Sequence, residues 1–404
     1  MFKAFNETEM RNAWGSVLAC FGVALFVRGF TSYGQAVFLN QLQVSRHWSP
    51  SLIGGATTLS FLCAALLLPW VSGAVRRFGS RVVLTSGVGL VGLGSVAISR
   101  SGEPWHLYMA SIVVGVGSAA ASATAISIAL AERFTRQRGF ALSLALSGIS
   151  VGGFTVAPGL LLLAQLQGFE QAVLQTVAGL VLVLLPLTWW GLKWAVPAQQ
   201  AAAVAPVSGS RLLLDTRFWS IAAPFSLVLA AQVGVLVYQV DYLVPLVGTE
   251  RASASVACVA VAALLGRIFL GANIDRLPPR RASAVIFAFQ SASTAMLIWF
   301  PSYPIMLYVA SCLLGIAAGN VMTLPTLILQ REFPAASFGK ALGLLMSAAQ
   351  FASALMPGML GALHDFSASY GPVFATCSSL PLLAIVMVVY APAPSRGEQQ
   401  LSTS

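Results

Sequence analysis

Charged residues make up only 8% of the 404-residue chain, against about 25% in an ordinary soluble protein. Hydrophobic residues reach 57% and the mean hydropathy is +0.83. So few charges cannot clothe a soluble globule of this size. The 22 basic and 12 acidic residues leave a net +10, but a nucleic-acid binder would spread such charge over a polar surface, so that class is excluded. The five cysteines, Cys20, Cys63, Cys258, Cys312 and Cys377, lie in apolar runs; they make no disulfide framework and are expected as small core-like residues. The three histidines, His47, His106 and His364, are far apart, so no helical metal pair exists. No GxxxxGK[ST] loop is present, which leaves ATP hydrolysis unsupported. Gly115 and Gly117 sit within a helical stretch, not after a strand. Together these absences imply no enzyme, no metal and no organic cofactor.

What the chain does have is apolar runs of membrane-spanning length. A bilayer-crossing helix needs about 20 mostly apolar residues, and such windows recur at 13–38, 51–71, 82–99, 105–130, 139–163, 171–192, 218–247, 252–271, 282–299, 303–330, 338–361 and 370–391. The runs are continuous, not alternating, which excludes a transmembrane β-barrel. The expectation is an all-α membrane protein of twelve transmembrane helices. The first twelve residues lack a signal peptide's pattern and read as a cytoplasmic tail. One longer connection, rich in Ala, Pro and Ser, divides the helices six and six. The expected units are residues 1–195, a linker at 196–214, and residues 215–404.

The basic residues test the count. With alternating connections, seventeen fall on the side of the N-terminus, among them Arg76, Arg77, Arg81, Arg133, Arg276 and Arg280. Only Arg46, Arg100 and Arg251 fall on the other. This positive-inside bias predicts both termini in the cytoplasm.

The halves repeat. The segment from Gly139 parallels that from Gly339, Pro158 pairs with Pro357, and SGAVRRFGSR from Ser72 parallels GANIDRLPPR from Gly271, all at offsets of 199 or 200 residues. Six helices per half give both halves the same orientation, two bundles around a central cavity, and rocking-type alternating access. The small-residue stretches GVGSAAASATAIS and GIAAGNVMTLP suit close helix packing. Pro158, Pro224, Pro325 and Pro357 would weaken the helical ladder and permit bends.

Three ionisable residues lie deep in apolar runs: Arg28, Arg267 and Asp241. A charge in hydrocarbon costs several kcal/mol unless paired or facing a polar cavity. Arg28, near the middle of the first helix, is the sharpest signal and reads as an anion-binding group, with a structural pair or a snorkelling side chain as the bland alternative. Arg267 lies nearer a helix end, where snorkelling is easy. Asp241 is a candidate partner for Arg28 or a proton carrier. The excess of one positive charge favours an anionic substrate, since guanidinium offers a rigid fork to a carboxylate. Tyr33, Gln35, Gln232, Tyr238, Gln239, Asn320 and Gln350 are weaker cavity candidates, each equally able to serve as an interior hydrogen-bonding residue.

The six-plus-six layout and the basic turns resemble the major facilitator superfamily, over residues 13–391. Its best-known motif follows the second helix. Here Ser72, Arg76, Arg77, Gly79 and Arg81 carry it, with serine for the leading glycine and Arg76 where aspartate is usual. The second half keeps Gly271, Asp275, Arg276 and Arg280, with Pro278 for the later glycine. The resemblance implies a conformational latch at Arg77, Gly79, Arg81, Gly271, Asp275 and Arg276. The stretches AWGSVLACFGVALFVRGFTSYGQAVF and ERFTRQRGFALSLALSGISVGG resemble the monocarboxylate-transporter-like group, which includes bacterial anion carriers. In that group an eighth-helix arginine with a glycine four residues on, as Arg267 and Gly271 are here, is associated with carboxylate binding. Two departures are Ala263, where the animal members place aspartate, and Tyr33, near where they use a first-helix lysine.

The reading is a secondary transporter of small organic anions, foremost monocarboxylates, working as a monomer in a bacterial inner membrane or plasma membrane. Substrate binding is expected at Arg28, Arg267, Tyr33, Gln35, Tyr238 and Asn320, with proton coupling at Asp241. The alternatives are efflux of drug-like compounds, which nine tryptophans and 23 phenylalanines permit, a transporter-like membrane sensor, and a membrane enzyme.

Overall fold

A computed structural model describes residues 7–48, 50–134, 137–192, 209–273, 277–300 and 303–390, and every element among them is helical. The first crossing is α1 (Glu7–Arg28), a π-helical turn (Gly29–Tyr33) and α2 (Gln35–Arg46). The second and third share α3 (Pro50–Ser99), folded in two at Gly79, where φ is +83°. Glycine adopts that conformation without the steric cost of a Cβ, so the latch-motif glycine has a local reason to be there. The fourth crossing is α4 (Pro104–Ala120) plus α5 (Ala123–Ala131), the fifth α6 (Arg138–Leu146) plus α7 (Gly148–Gln167), and the sixth α8 (Phe169–Gly191). A short helix, α9 (Gly209–Leu214), precedes the second half.

The seventh to ninth crossings are α10 (Thr216–Val247), α11 (Thr249–Asn273) and α12 (Pro279–Trp299). The tenth is α13 (Pro304–Asn320) plus α14 (Thr323–Glu332), and α15 (Ala335–Ser367) and α16 (Tyr370–Val389) complete the twelve. Ten stretches qualify as membrane-crossing by length and apolarity among the described residues. The longest of them, Leu52–Ser99, contains two crossings, and the interrupted fifth crossing adds the last. Even α16, at 20 residues, reaches about 30 Å, the thickness of a bilayer core.

The fourth and tenth crossings break at equivalent places. Ala120 and Asn320 end the first pieces, and Ala123 and Thr323 begin the second, an offset of 200 residues. The cause differs between copies. In the tenth, Pro325 is the third residue of α14 and has no N–H to donate back along the helix. In the fourth, the N–H of the equivalent Ala125 is taken by the Ser122 hydroxyl, which caps α5. The small-residue stretches therefore hold the breaks as well as close packing. Pro325 begins a helix instead of bending one, whereas Pro224 and Pro357 lie inside α10 and α15.

One apolar core runs through both halves and a second lies within the second half. Large apolar side chains such as Trp70, Leu93, Leu182, Phe269 and Phe366 face outward, as expected where lipid is the solvent. Cys20 and Cys377 are buried and Cys63 and Cys258 half-buried, but Cys312 is exposed, so the expectation of a core position fails there: Cys312 shares the outward face of α13 with Ile305 and Val309.

The halves meet at two similar seams. The second crossing packs on the eleventh, and α6 packs on α11. Each seam sets a glycine against a serine. A Cβ on Gly271 would lie 2.4 Å from Ser143 Cβ, and one on Gly339 would lie 2.8 Å from Ser72 Cβ. Ser72, the departure from the motif's leading glycine, thus meets a glycine on the opposite half. The Ser347 hydroxyl adds a buried hydrogen bond to the Ala65 carbonyl, at 2.6 Å. Both seams lie toward the end of the molecule that carries the arginine-rich turns, the basic face.

Candidate functional site: a cavity around Arg28

Helix packing in the first half leaves a cavity beside the middle of the first crossing. Its wall includes Ala24, Val27, Arg28 and Thr31 from that crossing, Phe61, Ala64 and Leu68 from the second, and Ser118 and Ile126 flanking the break in the fourth. Ala121, Ser122 and Ala123, the break itself, form part of the wall, as do Leu146 and Ile149 across the interruption of the fifth crossing. Gln350 on α15 is the contribution of the second half. The space open to the centre of a water molecule is about 50 Å³, room for a few waters, since one needs about 10–15 Å³.

Three departures from regular helix converge on this cavity. Arg28 is the last residue of α1, and the π turn begins at Gly29, closed by the Gly34 N–H donating to the Gly29 carbonyl at 2.7 Å. Such wide turns inside α-helices are frequent at functional sites. The first turn of α5, whose leading N–H groups have no intrahelical acceptor, starts at the wall. Helix N-termini favour anions through those donors and the helix dipole. Arg28 and the start of α5 thus bring a guanidinium and a positive helix dipole to the wall of one cavity. The sequence pointed to Arg28 and, among weaker candidates, Gln350. Ser122 and the π turn went unseen; two glycines five positions apart, Gly29 and Gly34, were the available signal.

The other expected site residues go elsewhere. Arg267 is 3% exposed and behind the wall. Its Nε donates to the Gly319 carbonyl at 2.6 Å and its Nη1 to the Leu146 carbonyl. Leu146 lines the cavity, so Arg267 ties the eighth crossing to the tenth and, across the halves, to the fifth. Asn320 is fully buried beside this tie, its amide N–H bound to the Ile316 carbonyl and its Oδ1 without a partner among the described residues. The Tyr238 hydroxyl donates to the Pro357 carbonyl at 2.7 Å, joining α10 to α15. Gln239 donates to Ser255 Oγ at 2.6 Å inside the second half, and Gln232 is buried there. The side chains of Tyr33, Gln35 and Asp241 lie outside the described residues.

At the basic face, Asp275 and Arg276 of the expected latch also lie outside the described residues. Arg77 sits 5.3 Å from the Phe78 ring centroid, and Gly271 fills the seam against Ser143. Arg280 forms a two-pronged pair with Glu332, both bonds 2.6 Å, and its guanidinium also reaches Ser220 Oγ at 3.1 Å and the Val388 carbonyl at 3.3 Å. This cluster binds the seventh, ninth, tenth and twelfth crossings.

At the repeat offset the first half has Arg81, Glu132, Cys20 and Trp189 at those positions, and it uses them differently. Arg81 stacks 3.4 Å from the Trp189 ring centroid, with a buried Nε lacking a hydrogen-bond partner among the described residues. Burial pushes the Glu132 carboxyl above the usual glutamate value, opposed by the Arg133 charge and a hydrogen bond to Ser80. Burial likewise lowers the Arg133 value.

Known proteins agree with this architecture. The family model described as Major Facilitator Superfamily matches residues 21–301 and 248–403. Human monocarboxylate transporter 7 is 29% identical over 163 residues, 40% of this chain and 31% of that relative, so the match spans less than a third of the relative's length. Human monocarboxylate transporter 11 is 26% identical over 398 residues, 91% of this chain and 81% of the relative. The 3-(3-hydroxy-phenyl)propionate transporter of Escherichia coli K12 is 27% identical over 326 residues, 75% of this chain and 72% of the relative. Among solved structures, the proton:xylose symporter XylE superposes with a TM-score of 0.74 at 16% identity, covering 96% of this chain and 97% of that one. That last likeness concerns fold alone. Twelve crossings in two parallel-related bundles and the family match lead to one conclusion: the chain has a multi-pass membrane transporter fold and belongs to the major facilitator superfamily.

Proposed function

We propose that the protein carries small organic acids, monocarboxylates foremost, across the inner or plasma membrane by alternating access, with the basic face in the cytoplasm. The observation that carries the reading is Arg28, an arginine midway along the first crossing at the wall of a cavity, beside the start of α5. A carboxylate would pair with the Arg28 guanidinium, and its apolar body would rest on Phe61, Leu68, Ile126 and Ile149. Relatives named as monocarboxylate and hydroxyphenylpropionate transporters support the acid. The present cavity has room for only a few waters, so loading requires the walls to part.

Residues 1–195 and 215–404 rock against each other in this reading, and the two glycine–serine seams are the contacts that open toward the cytoplasm. Arg267, tied to Leu146 across the halves, is released when a substrate carboxylate competes for its guanidinium, which couples binding to opening. Asp241 is the proposed proton carrier. Proteoliposome uptake tests this directly. Labelled small monocarboxylates should accumulate saturably, faster with an imposed proton gradient, while their neutral amides should not. Equal uptake of acid and amide, or transport of structurally unrelated cations in place of acids, would overturn the proposal.

A further inference from the structure

On the lipid-facing side of the first half, at the end opposite the basic face, a groove of about 470 Å³ runs between the third and fourth crossings. Its walls follow single helix faces: Leu93, Ala97 and Arg100 on α3 and the residue after it, then His106, Met109 and Val113 on α4. The spacings of four and three residues place each set along one stripe. Gly94 and Ala110 supply a shallow floor between bulkier Leu93 and Met109. Seven residues of helix make the groove about 10 Å long. It is apolar along that length and ends in two nitrogen-bearing side chains.

Arg100 is what makes this more than a seam. It is exposed and forms no ion pair among the described residues. By contrast Arg46, on the same side of the membrane, is engaged by Glu170 at 3.0 Å. The nearest acid in the chain, Glu103, accepts a hydrogen bond from the Trp105 indole. His106 stacks on that same indole, ring centroids 3.9 Å apart, and Trp105 is itself 58% exposed, the placement of an interfacial tryptophan. The basic mouth therefore lies at headgroup level and the apolar length lies in the hydrocarbon.

We infer that this groove binds an anionic phospholipid, with one acyl chain along the Leu93–Ala97 stripe and the phosphate held by Arg100 and His106. A guanidinium at a helix end beside an apolar slot matches a lipid in both charge and shape, and basic pockets between membrane helices bind anionic headgroups on the same physics. The site is independent of the cavity around Arg28.

Native mass spectrometry of the full chain, purified in detergent and offered phosphatidylglycerol or phosphatidylcholine, tests it. The wild type should retain phosphatidylglycerol in preference. Arg100→Ala should lower that retention by about tenfold or more, the worth of a hydrogen bond to a charged group. Ala97→Phe, which fills the slot at an exposed position, should lower it similarly while Arg100 is still present. Both variants must keep the wild-type melting temperature in phosphatidylcholine, which separates lipid loss from misfolding. Equal retention of the two lipids would overturn the inference. So would an effect of Arg100→Ala without one from Ala97→Phe, or release of the lipid by inorganic phosphate, either of which makes the site a simple anion patch.

Discussion

Gly271→Ala probes the seam between the halves with a single methyl group. The new Cβ would stand 2.4 Å from Ser143 Cβ and 2.6 Å from Ser143 Oγ. Carbon atoms pack at about 3.5–4.0 Å, so α6 and α11 must separate there by about 1 Å. Overpacking a close contact costs about 1–3 kcal/mol. The strain exists only while the basic face is closed, so it should shift the closed-to-open ratio by about 5–150-fold. Spin labels at Arg77 and Arg281, both exposed and on opposite halves, would read that ratio as a distance distribution in a cysteine-free background. Longer distances should gain population in Gly271→Ala, and Gly271→Ala combined with Ser143→Gly should return to the wild-type distribution. With Ser143 reduced to glycine, the nearest remaining atom is the Gly139 carbonyl oxygen at 3.8 Å. An unchanged distribution in the single variant, or no rescue in the double, would refute the seam as the closing contact.

Three further outcomes follow from the same geometry. Arg267→Met deprives the Gly319 and Leu146 carbonyls of their donor, which should cost about 1–3 kcal/mol in thermal stability and widen the same spin-label distances; tight distances would show that the tie does not hold the halves. Arg280→Ala leaves Glu332 without its two-pronged partner, and with side chains 21% and 24% exposed solvent limits the loss to about 1–3 kcal/mol; a melting temperature equal to wild type would count against the cluster. For Glu132, the folded value is raised above the usual 4.5, so its contribution favours the fold at low pH and is lost as pH rises through the raised value. Glu132→Gln should flatten that decline in a melting series upward from pH 4.5, and a series parallel to wild type would remove the carboxyl from the effect.

The parts of the fold that obey one-dimensional rules were readable from the chain. Apolar length set the twelve crossings, arginine placement set the basic face, and the cost of burying charge singled out Arg28. Features that depend on what lies opposite were not readable. Ser72 looked like a defect in a motif until Gly339 was found against it. Arg267 was readable as a buried cation, but its bonds to the Gly319 and Leu146 main-chain carbonyls leave no side-chain signature in the sequence. The break in the fourth crossing rests on whether Ser122 or the helix claims the Ala125 N–H, a local competition that composition does not decide. Pro325 marked the matching break in the tenth, but read alone it suggested only a bend.

Whether Arg28 holds the substrate is read from the affinity of the purified chain for a small monocarboxylate, wild type against Arg28→Gln and Arg28→Lys. If the Arg28 guanidinium binds the carboxylate, Arg28→Gln should weaken binding about 10–150-fold, the worth of a charge-assisted hydrogen bond. Arg28→Lys should recover part of the loss, because the charge returns without the fork. Unchanged affinity in Arg28→Gln would mean that the carboxylate binds elsewhere.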